Sequence, residues 1–272
     1  FANIDGIRIV NSSDNQIHLN LIGANTGTGV TITTDPGGTA TRNTIAGNNI
    51  GAVPYREPQF ASGNRIGVYI DAGASGNFLS AYVDATVGAQ WNVIGNNVQF
   101  GVQILSADNM VTGTYLGTDS RGRNLGNRVG GLNVTGSQAT GNIIGGTGAN
   151  QANVFGWNPI GVLLNGGSRA SVLRNNYIGT STTGLTVPNG LGLAISGSNA
   201  NVVGPDLSAK QTSTVVDKLL VGANFISGNS GQGILINLDS AQNQIRGNLI
   251  GKGWANTGGS LRTLFLGNRG NG

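Results

Sequence analysis

One four-residue pattern recurs along the whole chain and leaves few folds open to it: glycine, apolar, any residue, apolar. It stands as Gly6-Ile7-Arg8-Ile9, Gly29-Val30-Thr31-Ile32, Gly67-Val68-Tyr69-Ile70 and Gly101-Val102-Gln103-Ile104. It continues as Gly131-Leu132-Asn133-Val134, Gly161-Val162-Leu163-Leu164, Gly192-Leu193-Ala194-Ile195 and Gly233-Ile234-Leu235-Ile236. Between glycines the steps are 23, 38, 34, 30, 30, 31 and 41 residues. The apolar residues alternate with period two, so each copy is a short strand with one buried face. Repetition at such intervals is the mark of a solenoid.

A second motif follows about ten residues after the first: Asn, any residue, then Ile, Val or Leu. Copies are Asn15-Gln16-Ile17, Asn43-Thr44-Ile45, Asn77-Phe78-Leu79, Asn109-Met110-Val111, Asn142-Ile143-Ile144, Asn201-Val202-Val203 and Asn243-Gln244-Ile245. Each repeat therefore holds two or three strands of three to five residues, separated by Gly/Asn turns. Strands that short need neighbours. Stacked in parallel, about 4.8 Å apart, they line up the inward Ile, Val and Leu as continuous apolar columns. Gly and Asn supply positive φ at the turns, and Asn at one turn in successive coils can stack into a side-chain ladder. The expectation is one all-β domain over residues 1–272, a parallel β-solenoid of about eight or nine coils, roughly 40 Å long.

Composition narrows the rest. Gly fills 48 of the 272 positions without a G-X-Y register, which excludes collagen. Apolar residues make up 38% of the chain and the net charge is only +4, against an unfolded chain. No run approaches 18 apolar residues, so no membrane insertion is expected. Without Cys there is no disulfide or thiol chemistry. The basic residues stand singly, apart from Arg121, Arg123 and Arg128, and aromatics are not interleaved with them, so no nucleic-acid partner is expected. The chain opens on Phe1 without a signal-peptide pattern; its composition fits an exported protein, and the expected location is extracellular, at a cell surface.

The phrases Asn-x-Ile-x-Gly-Asn-x-Ile-Gly at 43–51 and its near copy at 243–251, Leu116-Gly117-Thr118-Asp119-Ser120-Arg121-Gly122 and Ile178-Gly179-Thr180-Ser181-Thr182-Thr183-Gly184 resemble right-handed parallel β-helix repeats of the pectin-lyase-like superfamily. More narrowly they resemble the Asn/Gly-rich repeats of bacterial secreted and cell-surface proteins. The resemblance implies the fold along essentially the whole chain. For function it leaves open polysaccharide lyases and hydrolases, tailspikes, adhesins and structural spacers.

Chemistry has few carriers. The chain has one His, one Glu and ten Asp. Glycoside hydrolysis needs paired carboxylates, and lyases of this superfamily need a base with acids that hold Ca²⁺. Asp35, Asp71 and Asp108 follow their strand glycines in three successive coils and can converge on one edge; alternatively each is a turn residue chosen locally. His18 reads as a lone surface histidine without partners for a metal. No cofactor, metal site or catalytic residue is expected, and the chain is read as no enzyme. An ice-binding array would need Thr-x-Thr in many coils, and only Thr31-Ile32-Thr33 supplies it.

The outward column Arg8, Thr31, Tyr69, Gln103, Asn133, Leu163, Ala194, Leu235 turns apolar in its last three members. Leu163, Ala194 and Leu235 are therefore either a lateral contact or the seat of the irregular stretch 205–218. Trp91, Trp157 and Trp254 are read as contact residues or as packing. Both ends read as uncapped strand edges. Phe1, Ile4, Asp5, Ile7, Ile9 and Asp14 at one end would meet Lys252, Arg262, Leu264, Phe265, Leu266 and Arg269 at the other, with opposite charges. The function expected is a non-enzymatic structural subunit that stacks on itself head to tail into a filament or surface fibre. The alternatives are an internal fragment of a large adhesin, or a β-helix that binds or cleaves cell-surface polysaccharide along Asp35, Asp71, Asp108 and nearby Tyr69 or Trp91.

Overall fold

The computed structural model describes residues 2–52, 63–206, 221–251, 253–257, 260–264 and 267–269. They form three parallel sheets of eight strands each, with no helix among them. The first sheet holds the glycine motifs, from Ile7–Val10 and Thr28–Thr33 through Ile66–Ile70, Phe100–Ile104, Gly130–Thr135, Ile160–Asn165 and Leu191–Ser196 to Ile234–Asn237. The second starts at Gln16–His18 and ends at Gln244–Ile245; the third starts at Leu21–Ile22 and ends at Leu249–Ile250. The chain visits the sheets in turn, so every strand pairs with the equivalent strand one repeat later. This is a β-solenoid.

Register follows the repeat. Arg8 pairs with Thr31, Thr31 with Tyr69, Tyr69 with Gln103, Gln103 with Asn133, Asn133 with Leu163, Leu163 with Ala194 and Ala194 with Leu235. The outward column read from the sequence is thus an actual column. Its inward neighbours form the core: Val30, Ile32, Val68, Ile70, Val102, Ile104, Leu132, Val134, Val162, Leu164, Leu193 and Ile195 are all fully buried.

Each corner carries an asparagine ladder. At the corner before the first sheet, the backbone N–H and Nδ2 of Asn64 both donate to Oδ1 of Asn97, at 3.0 and 3.1 Å. The same double bond links Asn25 to Asn64, then Asn97, Asn127, Asn158, Asn189, Asn229 and Asn268 in succession. A second ladder, between the first and second sheets, runs through Asn15, Asn43, Asn77, Asn109 and Asn142. It resumes at Asn201 and Asn243 after Ser171. A third, between the second and third sheets, joins Asn20, Asn48 and Asn92, is interrupted by Thr114, and continues through Asn153, Asn176, Asn224 and Asn248. Nδ2 also reaches back to the previous repeat, as Asn48 does to the Ile17 carbonyl at 2.8 Å. One short side chain thereby pairs corner amides and carbonyls that no strand can reach.

The turns and the motif glycines have different causes. The residue before each member of the second ladder has positive φ in all eight repeats: Asp14, Arg42, Gly76, Asp108, Gly141, Ala170, Ala200 and Gln242. None of the eight motif glycines has positive φ, so turn conformation is not what selects them. They are there for close approach. A Cβ on Gly131 would lie 2.7 Å from the Gly161 carbonyl oxygen and 3.1 Å from both Nδ2 of Asn158 and the Phe155 ring. Gly29 meets Gly67 in the same way. A side chain here would push successive repeats apart.

Two insertions depart from the repeat. An antiparallel hairpin, Tyr82–Asp84 with Gly88–Gln90, leaves between the second and third sheets. Another, Gly253–Thr257 with Ser260–Leu264, follows the last strand of the third sheet. The period-two reading did not separate either from a solenoid strand, because a hairpin strand alternates in the same way.

Two substitutions separate the glycine roles. Gly131→Ala is expected to cost about 3 kcal/mol by overpacking. Gly76→Ala, where a Cβ meets nothing within 4 Å but φ is +63°, costs about 1 kcal/mol. Urea unfolding of both variants checks the ranking. In the second ladder, Ser171 has a buried Oγ without a partner. Ser171→Asn restores the missing member and raises stability by about 1 kcal/mol; a lower unfolding midpoint would show that the site lacks room for the amide.

Candidate functional site

Two features stand apart from the repetitive body: the faces at which repeats are added, and a groove on the outer side of the third sheet.

In the last repeat, Ile236 and Ile250 occupy core positions. Their partners one repeat earlier, Ile195 and Ile226, are fully buried, whereas Ile236 is 45% and Ile250 43% exposed. Leu235 and Leu238 are exposed beside them. In the first repeat the core positions Ile9, Ile17 and Ile22 are almost closed, while Ile4, Val10, Leu19 and Leu21 are exposed at its rim. Each ladder has a direction. Among the described residues, no earlier asparagine side chain donates to Oδ1 of Asn15, Asn20 or Asn25, and no later one accepts from the N–H groups of Asn243, Asn248 or Asn268. The terminal repeats are thus acceptor-rich at one face and donor-rich at the other.

Of the end residues singled out in the sequence, Phe1, Lys252, Phe265 and Leu266 lie outside the described residues. Arg262 and Leu264 belong to the second hairpin, and Arg269 is exposed, its N–H donating to the Asn229 carbonyl at 3.0 Å. Ile4 is exposed, Ile7 half-buried against the core and Ile9 buried. The two acids are already engaged within their own chain. Asp14 forms a two-pronged pair with Arg42, at 2.8 and 2.7 Å. Asp5 pairs with Arg8 at 3.3 Å and accepts the Thr28 N–H. These internal pairs lessen the charge left to attract another end. In the lateral column Leu163 is half-buried, Ala194 buried and Leu235 exposed. The stretch offered as its cover lies, from 207 to 218, outside the described residues.

The three candidate acids behave as turn residues. Asp71 accepts from Thr33 Oγ1 at 2.8 Å, from its neighbour Ala72 N–H at 2.8 Å and from the Tyr69 hydroxyl at 3.2 Å. Burial, then the charge and hydrogen bond of Asp71, raises the Tyr69 hydroxyl above its ordinary value. Asp35 exchanges two bonds with Asn11. Asp108 holds a positive-φ turn position. Among the described residues no three metal-ligating side chains cluster. His18 is not solitary: its ring packs 5.0 Å from Tyr82.

Trp91 lies elsewhere, between the first hairpin and the third-sheet strand Asn92–Ile94, with a groove of about 320 Å³ beside it. The first hairpin delivers Gln90 and Trp91 to one wall; Tyr115 stands on the strand Thr114–Leu116, and the tight loop 118–123 closes the other side. The Trp91 and Tyr115 rings are 4.9 Å apart and tilted by 33°. Trp91 Nε1 donates to Asn150 at 3.5 Å. Buried Asp119 sets the loop: one oxygen accepts the N–H groups of Arg121 and Arg123, both at 3.0 Å, and the other pairs with Arg123 Nε at 2.6 Å. Burial first, and the Asp119 charge second, push the Tyr115 hydroxyl above its ordinary value, so it stays protonated as a donor. The signal for this groove in the sequence was the single cluster of arginines, Arg121 and Arg123, following a tyrosine. That signal is incomplete in the sequence, because Trp91 comes close only through the hairpin.

Comparison with family models, with curated proteins and with solved structures gives no match to this chain.

The hairpin that precedes Trp91 is pinned by Asp84, whose carboxylate accepts the Thr86 and Val87 N–H groups and is thereby held below the ordinary aspartate value. Asp14 is likewise lowered, by its hydrogen bond with Arg42. A depressed folded-state pKa contributes stability above the unfolded value and loses it as pH falls through the folded one. Thermal midpoints should therefore drop below the ordinary aspartate range, and Asp84→Asn should flatten part of that drop. An unchanged pH profile in the variant would show that the Asp84 bonds do not stabilise the fold.

Proposed function

We propose that the chain is a non-enzymatic extracellular structural protein, a right-handed parallel β-helix of eight to nine coils of the pectin-lyase-like kind, which stacks head to tail into a filament or surface fibre. Right-handedness is the rule for parallel crossover connections. The observation that supports the stacking is the exposure of Ile236 and Ile250 in the last described repeat, beside Asn243, Asn248 and Asn268, which end their ladders among the described residues and donate only to carbonyls one repeat back. An added repeat would make there the bonds that most internal repeats make. With the outer acids paired internally, the drive is strand augmentation and apolar burial more than charge. A heterologous contact of this kind propagates instead of closing.

Electron microscopy and fibre diffraction of the purified chain test this. Expected are unbranched filaments with an axial reflection near 4.8 Å. Ile236→Lys should abolish them and leave the thermal midpoint of the subunit unchanged, since the side chain is already half exposed. Uniform monomers at high concentration overturn the reading. Intact mass of the native particle tells stacked copies from further repeats within one longer adhesin chain.

A further inference from the structure

The outer face of the second sheet carries an apolar column that the stacking of repeats does not use. We propose that this face is a lateral interface, on which two filaments of the chain lie side by side with their second sheets face to face, and that one subunit is too short to make the contact alone. The inference rests on the stacking proposed above and gives that filament its partner: a second filament of the same chain.

The register sets out the face. Gln16 pairs with Thr44, Thr44 with Phe78, Phe78 with Met110, Met110 with Ile143, Ile143 with Val172, Val172 with Val202 and Val202 with Gln244. Each is followed along its strand by a core residue, such as Leu79, Val111 or Ile144, so the column points outward. Outward positions on a half-buried strand are ordinarily polar, as Gln16, Thr44 and Gln244 are. The five between them, from Phe78 to Val202, are all apolar; Phe78 is 37% exposed and the others are half-buried. The outward column of the first sheet differs: it turns apolar only at its end, and Ala194 there is already buried. The margins of the five are low. Of the ten residues two places before or after them, six are small: Gly76, Gly141, Ala170, Ala200, Gly145 and Gly204. A facing sheet can therefore approach to the roughly 10 Å of packed sheets. Asp108 and Arg174, at opposite margins, supply the polar rim of such a contact.

Pitch and area identify the occupant. The five side chains recur about every 4.8 Å along the axis. A surface that matches such a comb over any length must have the same pitch. A second copy of the column has it, and each side chain then seats between two of the other copy, as in a dry zipper between sheets. A partner without that period would engage one or two of the five. Area sets the condition. Five rungs span about 25 Å and, at about 10 Å wide, offer roughly 250 Å² per copy. A stable interface takes about 800 Å² per partner. Two free subunits therefore stay apart. Stacking repeats the strip about every 40 Å, and about four subunits in a row reach the needed area. Lateral pairing is thus a property of the filament and depends on its length.

Electron microscopy of the whole chain, with sedimentation of the same samples, tests this. Expected are paired filaments that separate when sheared to one or two subunits and that pair more readily in ammonium sulfate, which strengthens apolar burial. Ile143→Lys with Val172→Lys should give single filaments of half the width. Ile143→Thr with Val172→Thr keeps β-branched side chains and should raise the length at which pairs form, which guards against a lysine variant that fails to fold. Leu185→Lys, at a residue 47% exposed on a loop beside the third sheet, should pair like the parent. The Ile236→Lys subunit, unable to stack, should sediment as a monomer. The chain has no Cys, so Val172→Cys can be introduced into that monomer. It should react with a maleimide within tenfold of the rate of Leu185→Cys, and more than tenfold more slowly in paired filaments. Single filaments from the parent, pairs that survive both double substitutions, dimers of the Ile236→Lys subunit, or a Val172→Cys already shielded in the monomer, where the chain would be covering its own strip, each overturn lateral pairing and leave stacking intact. No filaments at all would overturn the stacking, and the pairing with it.

Discussion

The solenoid depends on the carboxamide of asparagine. A strand pairs its backbone groups with its neighbours, but at a corner the chain turns and those groups lose their partners. Left buried and unpaired, each costs about 1–3 kcal/mol. Asn answers with an acceptor and donors on a side chain short enough to stay at the corner. It accepts twice from the repeat before and donates back to that repeat's carbonyls. Asp lacks the donor and Gln is one methylene too long. Because each side chain must touch the next at hydrogen-bond distance, the ladders also fix the pitch and the register. The inward Val, Ile and Leu then fall into columns as a consequence. The system tolerates single gaps at Thr114 and Ser171, since two other ladders continue past each of them.

All three corners carry a ladder, yet they differ in how much length variation the connections beside them take up. Most connections from the first sheet to the second are five to seven residues long, the exception being that between Thr33 and Thr44. The longer insertions lie on either side of the third sheet: the hairpin before Asn92, the loops 117–129 and 179–190, and the segment between Val203 and Phe225. Loops that vary in length over a fixed scaffold are where proteins place recognition. The groove beside Trp91 is built from two such insertions meeting over one strand.

The fold was legible because its causes are local and repeated. The period-two glycine motifs gave the first sheet, and the Asn-x-Ile motifs gave the second sheet with its ladder. The first ladder was harder to see, because Asn25, Asn64, Asn97 and their successors precede the glycines by three or four residues and are followed by no fixed apolar residue. The motif glycines are visible in the sequence but their cause is not: what excludes a Cβ at Gly131 is the next repeat's carbonyl, a contact between residues 30 apart. Asp71 and Asp108 are legible as locally chosen turn residues, whereas the partners Thr33 and Tyr69 of Asp71 become visible only once the strands are stacked. The groove needed a hairpin whose alternation copies that of a solenoid strand, so the meeting of Trp91 with Tyr115, across 24 residues, was visible only in three dimensions.

The ends of the solenoid follow from the same interaction as its body. An internal repeat buries its core between two neighbours, whereas the last described repeat has a described neighbour on one side only, and Ile236 and Ile250 stay half exposed while Ile195 and Ile226, one repeat earlier, are closed. A parallel stack has no built-in terminus, because each repeat presents strand edges that template the next. What covers such a face must therefore supply backbone partners, a carboxamide acceptor at each corner and apolar side chains together, and the chemistry that meets all three demands is that of another repeat.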